Sequence, residues 1–145
     1  MSELKIGDAA PLINSIDQKN EPITLEQFKG KKVVLYFYPK DMTPGCTVQS
    51  CNLRDNYKAL LAKGYMVLGC SVDSPSRHVK FIEKYDLPFS LISDQEKKVV
   101  DDYGVWGLKK FMGKEYMGIS RTTFVIDEEG IIEDIISKVN TKDHF

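Results

Sequence analysis

The stretch YPKDMTPGCTVQSC, residues 38–51, decides how the rest of this chain is organised. It joins an apolar run at 33–38, typical of a strand buried on both faces, to an amphipathic segment at 44–63 with helical spacing. Thr43 can cap that helix, and Pro44 suits its first position. Cys46 then falls in the first turn, where backbone N–H groups lack partners and the helix dipole is positive. We therefore predict a thiol that ionises easily and acts as a nucleophile.

Composition and charge limit the classes of protein to consider. The chain has 145 residues, 42% apolar and 28% charged, with a net charge of -1, so we predict one soluble globular domain over residues 1–145. Basic residues are scattered among acidic ones, which argues against nucleic acid as a partner. Residues 1–5 lack the apolar run of a signal peptide, and no stretch approaches the roughly 20 apolar residues that cross a membrane. Three cysteines in such a chain favour reactive thiols, and we expect a cytoplasmic location.

The order of the predicted elements gives the fold class. The first elements are an N-terminal β-hairpin around a turn at 17–20 and one helical turn at 24–28. After the strand and helix described above, the pattern predicts a strand at 65–72, a helix at 75–85, a strand at 87–92, a helix at 94–103, a long loop at 104–120 and a strand–turn–strand unit at 122–137. A parallel βαβ half followed by an antiparallel half indicates an α/β, thioredoxin-like fold, with a mixed central β-sheet flanked by helices.

The spacing of Cys46 and Cys51 imposes a conformational condition on any bond between them. On an ideal helix, five steps separate the two Cα atoms by roughly 8.7 Å. A disulfide needs Cα atoms within about 7 Å. The pair therefore cannot close unless the first turns of the helix unwind. The helical wheel places Cys46 on the same inward stripe as Leu53, whereas Cys51 lies off this stripe and nearer solvent. We therefore expect Cys46 to react in a sheltered pocket and Cys51 to capture the product.

Peroxide reduction is the chemistry that suits two such thiols. A thiolate that meets a peroxide becomes a sulfenic acid, which a second thiol condenses to a disulfide. The hydroxyl of Thr43 and the free N–H groups of Gly45 and Cys46 are candidate donors to the peroxide oxygens. Pro39 and Pro44 can wall the pocket and exclude water.

Other interpretations remain open at this point. A thioredoxin-type dithiol oxidoreductase is disfavoured because it uses a C-x-x-C pair, whereas four residues separate Cys46 from Cys51. A redox-sensing or holdase module that unwinds on oxidation is not excluded. Cys70 is predicted to be a core thiol. His78 and His144 are predicted to be solvated, which weakens a Cys–His protease interpretation.

Residues 39–46, read as P-x-x-x-T-x-x-C, resemble the active-site motif of the peroxiredoxins. The string at 38–55, together with residues 69–74, 103–107 and 116–121, is similar to the bacterioferritin comigratory protein, or PrxQ, subfamily. The resemblance covers about residues 4–142. It implies a thiol-specific peroxidase that reduces hydrogen peroxide and organic hydroperoxides, is recycled by thioredoxin or a similar dithiol, and uses no cofactor.

The resemblance also implies a role for each matching residue. Cys46 would be the peroxidatic thiol and Cys51 the resolving thiol, joined by an intramolecular disulfide. Thr43 would hydrogen-bond the thiolate and the peroxide, and Pro39 would shield the pocket. Arg121 would lower the pKa of the thiol and polarise the O–O bond. We expect a monomer.

Overall fold

The computed structural model describes residues 4–41, 44–111 and 113–136. The strands in these ranges are β1 (Asn14–Asp17), β2 (Pro22–Thr24), β3 (Lys32–Phe37), β4 (Tyr65–Ser71), β5 (Ser90–Ser93), β6 (Trp106–Phe111), β7 (Lys114–Ile119), β8 (Thr122–Ile126) and β9 (Ile132–Ile136). The α-helices are α1 (Pro44–Asp55), α2 (Tyr57–Ala62), α3 (Pro75–Tyr85) and α4 (Lys98–Asp102), and a 3-10 helix, Leu25–Phe28, follows β2. Within these ranges, none of the helices has the length and apolar character needed to span a bilayer.

A seven-stranded mixed sheet, in the order β2-β1-β5-β4-β3-β8-β9, is the centre of the molecule. Strands β3, β4 and β5 are parallel, as expected when helices connect them. The other pairings are antiparallel, including the N-terminal hairpin β1–β2 and the C-terminal pair β8–β9. This mixture of a parallel half and an antiparallel half confirms the predicted thioredoxin-like arrangement.

Strand β3 contributes to both faces of the sheet because its side chains alternate and all of its apolar residues are buried. Val33, Leu35 and Phe37 belong to one core cluster, which includes Val99 and Val100 of α4. The other cluster contains the alternate residues of this run and side chains of α1, α2 and α3, namely Val34, Tyr36, Tyr38, Leu53, Leu60 and Phe81. A continuous apolar run therefore becomes a central strand covered by helices on both sides.

The predicted helix at 44–63 is two helices, α1 and α2, with a break at Asn56. The Asn56 side chain donates a hydrogen bond from Nδ2 to the carbonyl of Asn52 at 2.8 Å, so it binds the backbone at the point where the helix is interrupted. Leu61, in α2 after the break, is 41% exposed.

The prediction of a long loop at 104–120 is wrong. This segment forms an antiparallel hairpin, β6–β7, whose turn contains Gly113 with a φ of 78°. The hairpin is a separate two-stranded sheet, with Leu108 opposite Met117 and both side chains mainly exposed. Three glycines and three lysines interrupt its sequence, which weakens the alternating apolar pattern that identifies a half-buried strand. Two other predicted elements are shorter than expected, since β5 begins at Ser90 and α4 at Lys98.

Candidate active site

The motif-bearing segment lies at one edge of the sheet, where the three parallel strands end. Tyr38 follows β3, Asp73 follows β4 and Asp94 follows β5, and the carboxyl ends of parallel strands are the usual place for a site in an α/β sheet. The antiparallel strand β8 starts at the same edge, because Thr122 pairs with Phe37. Arg121, one residue earlier, is therefore next to the segment that leaves β3.

The residues singled out from the sequence are placed as follows. Cys46 is the third residue of α1, and Cys51 lies further along the same uninterrupted helix. Pro39, Cys51 and Arg121 are half-buried. Thr43 lies outside the described residues. The structure thus brings Pro39, Arg121 and the start of α1 to one edge of the sheet.

The folded helix disfavours the thiolate form of Cys51. Burial raises the pKa of Cys51 above its ordinary value, and the nearby Arg54 guanidinium offsets only part of this effect. The attacking species in disulfide formation is the thiolate. Cys51 is thus a poor nucleophile while α1 is intact, and the helical spacing keeps it from Cys46 in that state.

The prediction that His78 is solvated is wrong. Its ring is fully buried, with Nδ1 at 2.6 Å from Oδ2 of Asp41 and Nε2 at 3.0 Å from the carbonyl oxygen of Ile92. The charged neighbours of His78 on α3 suggested a solvated face. The spacing of His78, Phe81 and Tyr85 is nevertheless that of one helical stripe, and this signal was sufficient to predict an inward position.

Asp41, five residues before Cys46, is held by both of its backbone polar groups and both of its carboxylate oxygens. Its N–H donates to Oδ2 of Asp73 at 2.8 Å, and its carbonyl accepts from Nη2 of Arg77 at 3.2 Å. Its carboxylate accepts a hydrogen bond from the Tyr38 hydroxyl at 2.5 Å through Oδ1 and contacts His78 through Oδ2. Burial raises the pKa of Tyr38 well above its ordinary value, so this hydroxyl remains a donor.

Asp41, Asp73 and His78 also bring potential metal ligands together, with one ligand atom of each within 4.8 Å of the others. These atoms already have hydrogen-bonding partners. Asp73 accepts from Oγ of Ser71 at 2.7 Å and from Nε of Arg77 at 3.1 Å, in addition to the Asp41 N–H. A cation at this position would have to displace these donors. We therefore interpret the cluster as a hydrogen-bond network that holds the segment before α1.

A second buried contact holds α1 one residue before Cys51. The hydroxyls of Tyr36 and Ser50 are 3.0 Å apart, and both residues are fully buried. Gly69, the partner of Tyr36 in β4, leaves room for the tyrosine ring, because a Cβ there would lie 2.8 Å from the Tyr36 hydroxyl oxygen and 2.6 Å from Cδ2 of Leu91. We call the Tyr36–Ser50 hydrogen bond the helix latch.

A thioredoxin-like sheet whose edge presents a P-x-x-x-T-x-x-C segment and the start of a cysteine-bearing helix defines the class of cysteine peroxidases called peroxiredoxins. The chain belongs to the AhpC/TSA family, whose profile matches residues 6–135. It is 49% identical over 144 residues to Peroxiredoxin Bcp of Escherichia coli K12, covering 99% of this chain and 92% of the relative. Peroxiredoxin Bcp of Bacillus subtilis 168 is 47% identical over 141 residues, with 97% and 90% covered.

Solved structures confirm the fold. Peroxidoxin BcpB from Mycobacterium tuberculosis superposes with a TM-score of 0.86 at 34% identity, covering 98% of this chain and 92% of that one. A structure of peroxiredoxin Q from Xanthomonas campestris gives a TM-score of 0.85 at 32% identity, with 91% and 84% covered. The resemblance to the Bcp and PrxQ peroxiredoxins inferred from the sequence is therefore confirmed, and the chain is a peroxide-reducing oxidoreductase.

Proposed function

We propose that this peroxidase reduces hydrogen peroxide and organic hydroperoxides through a sulfenic acid on Cys46 and an intramolecular disulfide between Cys46 and Cys51. The observation that carries the proposal is the position of both cysteines in α1, with Cys46 in its first turn at the carboxyl edge of the sheet. A solved structure of the bacterioferritin comigratory protein from Xanthomonas campestris, 31% identical, is described as giving insight into its alkyl peroxide reduction activity. This description supports organic hydroperoxides as substrates.

The proposed reaction has two steps on the enzyme. The Cys46 thiolate attacks one peroxide oxygen, the O–O bond breaks, an S–O bond forms, and the other oxygen leaves as water or an alcohol after protonation. The Cys51 thiolate then attacks the Cys46 sulfur, an S–S bond forms, and the hydroxyl group leaves as water. An external dithiol, thioredoxin or a similar protein, reduces the disulfide and completes the cycle. The family resemblance supports this choice of reductant.

The remaining site residues would assist the first step. The strand register supports a role for Arg121, because it brings this residue beside the segment that leaves β3. Its positive charge would favour the thiolate and stabilise charge that develops as the O–O bond breaks. Pro39, half-buried in that segment, would limit access of water. Thr43 would donate a hydrogen bond to the peroxide, as the motif implies.

We further propose a cytoplasmic monomer in which residues 1–145 form one domain.

Breaking the helix latch should accelerate the second step. Tyr36→Phe removes the hydrogen bond to Ser50. This destabilises only the folded helix, because both groups can bind water once α1 opens. A net hydrogen bond contributes about 0.5–1.5 kcal/mol, so the open helix should gain roughly two- to tenfold in population. Stopped-flow measurement of disulfide formation from the sulfenic acid should show an increase of that size. Tyr103→Phe, which removes a hydroxyl that bonds the Pro11 carbonyl at 2.8 Å, is the matched control and should leave the rate unchanged.

Mass spectrometry tests the proposed cycle directly. The reduced protein is treated with one equivalent of peroxide, digested without reductant, and the linked sulfurs are mapped. We expect one disulfide, between Cys46 and Cys51. A link from Cys46 to Cys70 would contradict the assignment of Cys51 as the resolving thiol. An insulin reduction assay without peroxide separates this function from that of a dithiol oxidoreductase, because a peroxidase with this cysteine spacing should show no such activity.

A further inference from the structure

His78 of α3 contacts the active-site segment directly, although the sequence suggested no role for it. His78 is fully buried and contacts the Asp41 carboxylate on one side and the carbonyl of Ile92 in β5 on the other. We propose that His78 is a positioning residue for the peroxide reaction: through Asp41 it fixes the end of the segment at 38–41, and so determines where the first turn of α1 presents Cys46. This inference rests on the proposed function of Cys46.

The hydrogen bonds define how the ring is held. The carbonyl oxygen of Ile92 can only accept, so Nε2 carries a proton and donates it. The Nδ1 atom and Oδ2 of Asp41 are 2.6 Å apart, and a single proton between them satisfies both. The other carboxylate oxygen of Asp41 is occupied by the Tyr38 hydroxyl. The imidazole thus joins three elements, α3, β5 and the β3–α1 segment, in one fixed geometry.

The hydrogen bonds of Asp41, which we call the Asp41 anchor, matter most when α1 unwinds to let Cys51 reach Cys46. Asp41 keeps four bonded groups on the strand side of the unwinding helix. Five residues of extended chain span at most about 18 Å, so Cys46 stays within that distance of Asp41 in every conformation. In the folded state the same anchor sets the direction in which α1 begins. A displacement of about 1 Å at a reacting group can lower a rate by about 100-fold, so small errors in this anchor should be visible in the peroxide reaction.

Two variants of His78 separate positioning from stability. His78→Phe removes both hydrogen bonds, and we expect the second-order rate constant of reduced protein with hydrogen peroxide to fall about 10- to 100-fold. His78→Asn can still donate an amide proton to Asp41 near the position of Nδ1, but it is too short to reach Ile92. It should lose comparable thermal stability and yet keep a rate within about threefold of the wild type, because the Asp41 bond is retained.

The measurements use the full chain. Peroxide rate constants come from stopped-flow competition with a second peroxidase, and the pH dependence of iodoacetamide alkylation at Cys46 gives the midpoint of thiol ionisation without any peroxide. The midpoint should rise in His78→Phe and be restored in His78→Asn. Tyr103→Phe is the control, since it removes a hydrogen bond to the Pro11 carbonyl at 2.8 Å that lies outside the network around Asp41, and it should change neither readout. Tyr38→Phe removes the hydrogen bond to Oδ1 of Asp41 and should slow the reaction about three- to tenfold, so it tests the inference if His78→Phe fails to fold.

Each other outcome has a definite consequence. A His78→Phe or Tyr38→Phe protein that keeps the wild-type rate and alkylation midpoint overturns the inference. So does a His78→Asn protein that reacts as slowly as His78→Phe, because contact with Asp41 would then be irrelevant. A wild-type protein that fails to consume peroxide instead refutes the proposed function, and in that case an alkylation midpoint unchanged in His78→Phe refutes the positioning role as well.

Discussion

Replacing Cys46 by serine should abolish peroxide consumption and leave only the rate of the solution without protein. A serine hydroxyl stays protonated at neutral pH, even at a helix start, so it does not provide the nucleophile that breaks the O–O bond. Without that thiolate, the proposed first step has no group that accepts the peroxide oxygen. The measurement is the loss of hydrogen peroxide by a coupled colorimetric assay in the presence of a dithiol reductant.

Cys70→Ala is the matched control for this experiment. Cys70 is fully buried in β4, and burial together with the negative charge of Asp94 raises the pKa of its thiol well above the ordinary value. A thiol that is both enclosed and protonated should not react with peroxide. We expect the Cys70→Ala protein to retain wild-type consumption. If Cys46→Ser retained activity and Cys70→Ala lost it, the reactive sulfur would be that of Cys70 in β4. This result would contradict the assignment of Cys46.

The part of the fold that the sequence predicted best is the part whose pattern depends on burial alone. The run at 33–38 predicted a strand covered on both faces, and β3 has this property because its alternating side chains enter two separate cores. The helix starts expected at residues 44 and 75 match those of α1 and α3, and Ser74 accepts a hydrogen bond from the N–H of Arg77 at the start of α3. Local chemistry was sufficient in these cases, because the signal and the structure lie within a few residues.

The parts that could not be predicted depend on contacts between distant residues. The helical stripe indicates that His78 faces inward, but its partners Asp41 and Ile92 are 37 and 14 residues away in the chain, and only the fold identifies them. The helix latch joins Tyr36 and Ser50, and neither residue carries a pattern that identifies the other. The β6–β7 hairpin lies outside the central sheet, and its interrupted apolar pattern left turn chemistry near Gly113 as its main signal. The proposed site residues come from their motif, whereas the hydrogen-bond network around Asp41 required the fold.

Replacing Cys51 by serine should allow one turnover and then stop the cycle. The Cys51→Ser protein should consume one equivalent of peroxide, and Cys46 should accumulate as a sulfenic acid that a cyclic dione reagent traps for mass spectrometry. Steady-state consumption with thioredoxin should be lost, because no resolving thiol remains in the helix. The first, single-turnover phase should keep the wild-type rate, since Cys51 takes no part in breaking the O–O bond.

The pH dependence of resolution distinguishes this role from that of a bystander. Burial raises the pKa of Cys51 in the folded helix, so the thiolate forms readily only after α1 opens and the sulfur enters water. In the wild type, disulfide formation should therefore accelerate as the pH rises toward the ordinary range of a free thiol, whereas the first phase should follow the ionisation of Cys46. Tyr36→Phe should raise the resolution rate at every pH without moving this profile, because it changes the population of the open helix and not the acidity of the exposed thiol. Multiple turnovers in Cys51→Ser, or a resolution rate independent of pH, would show that a different thiol reduces the sulfenic acid.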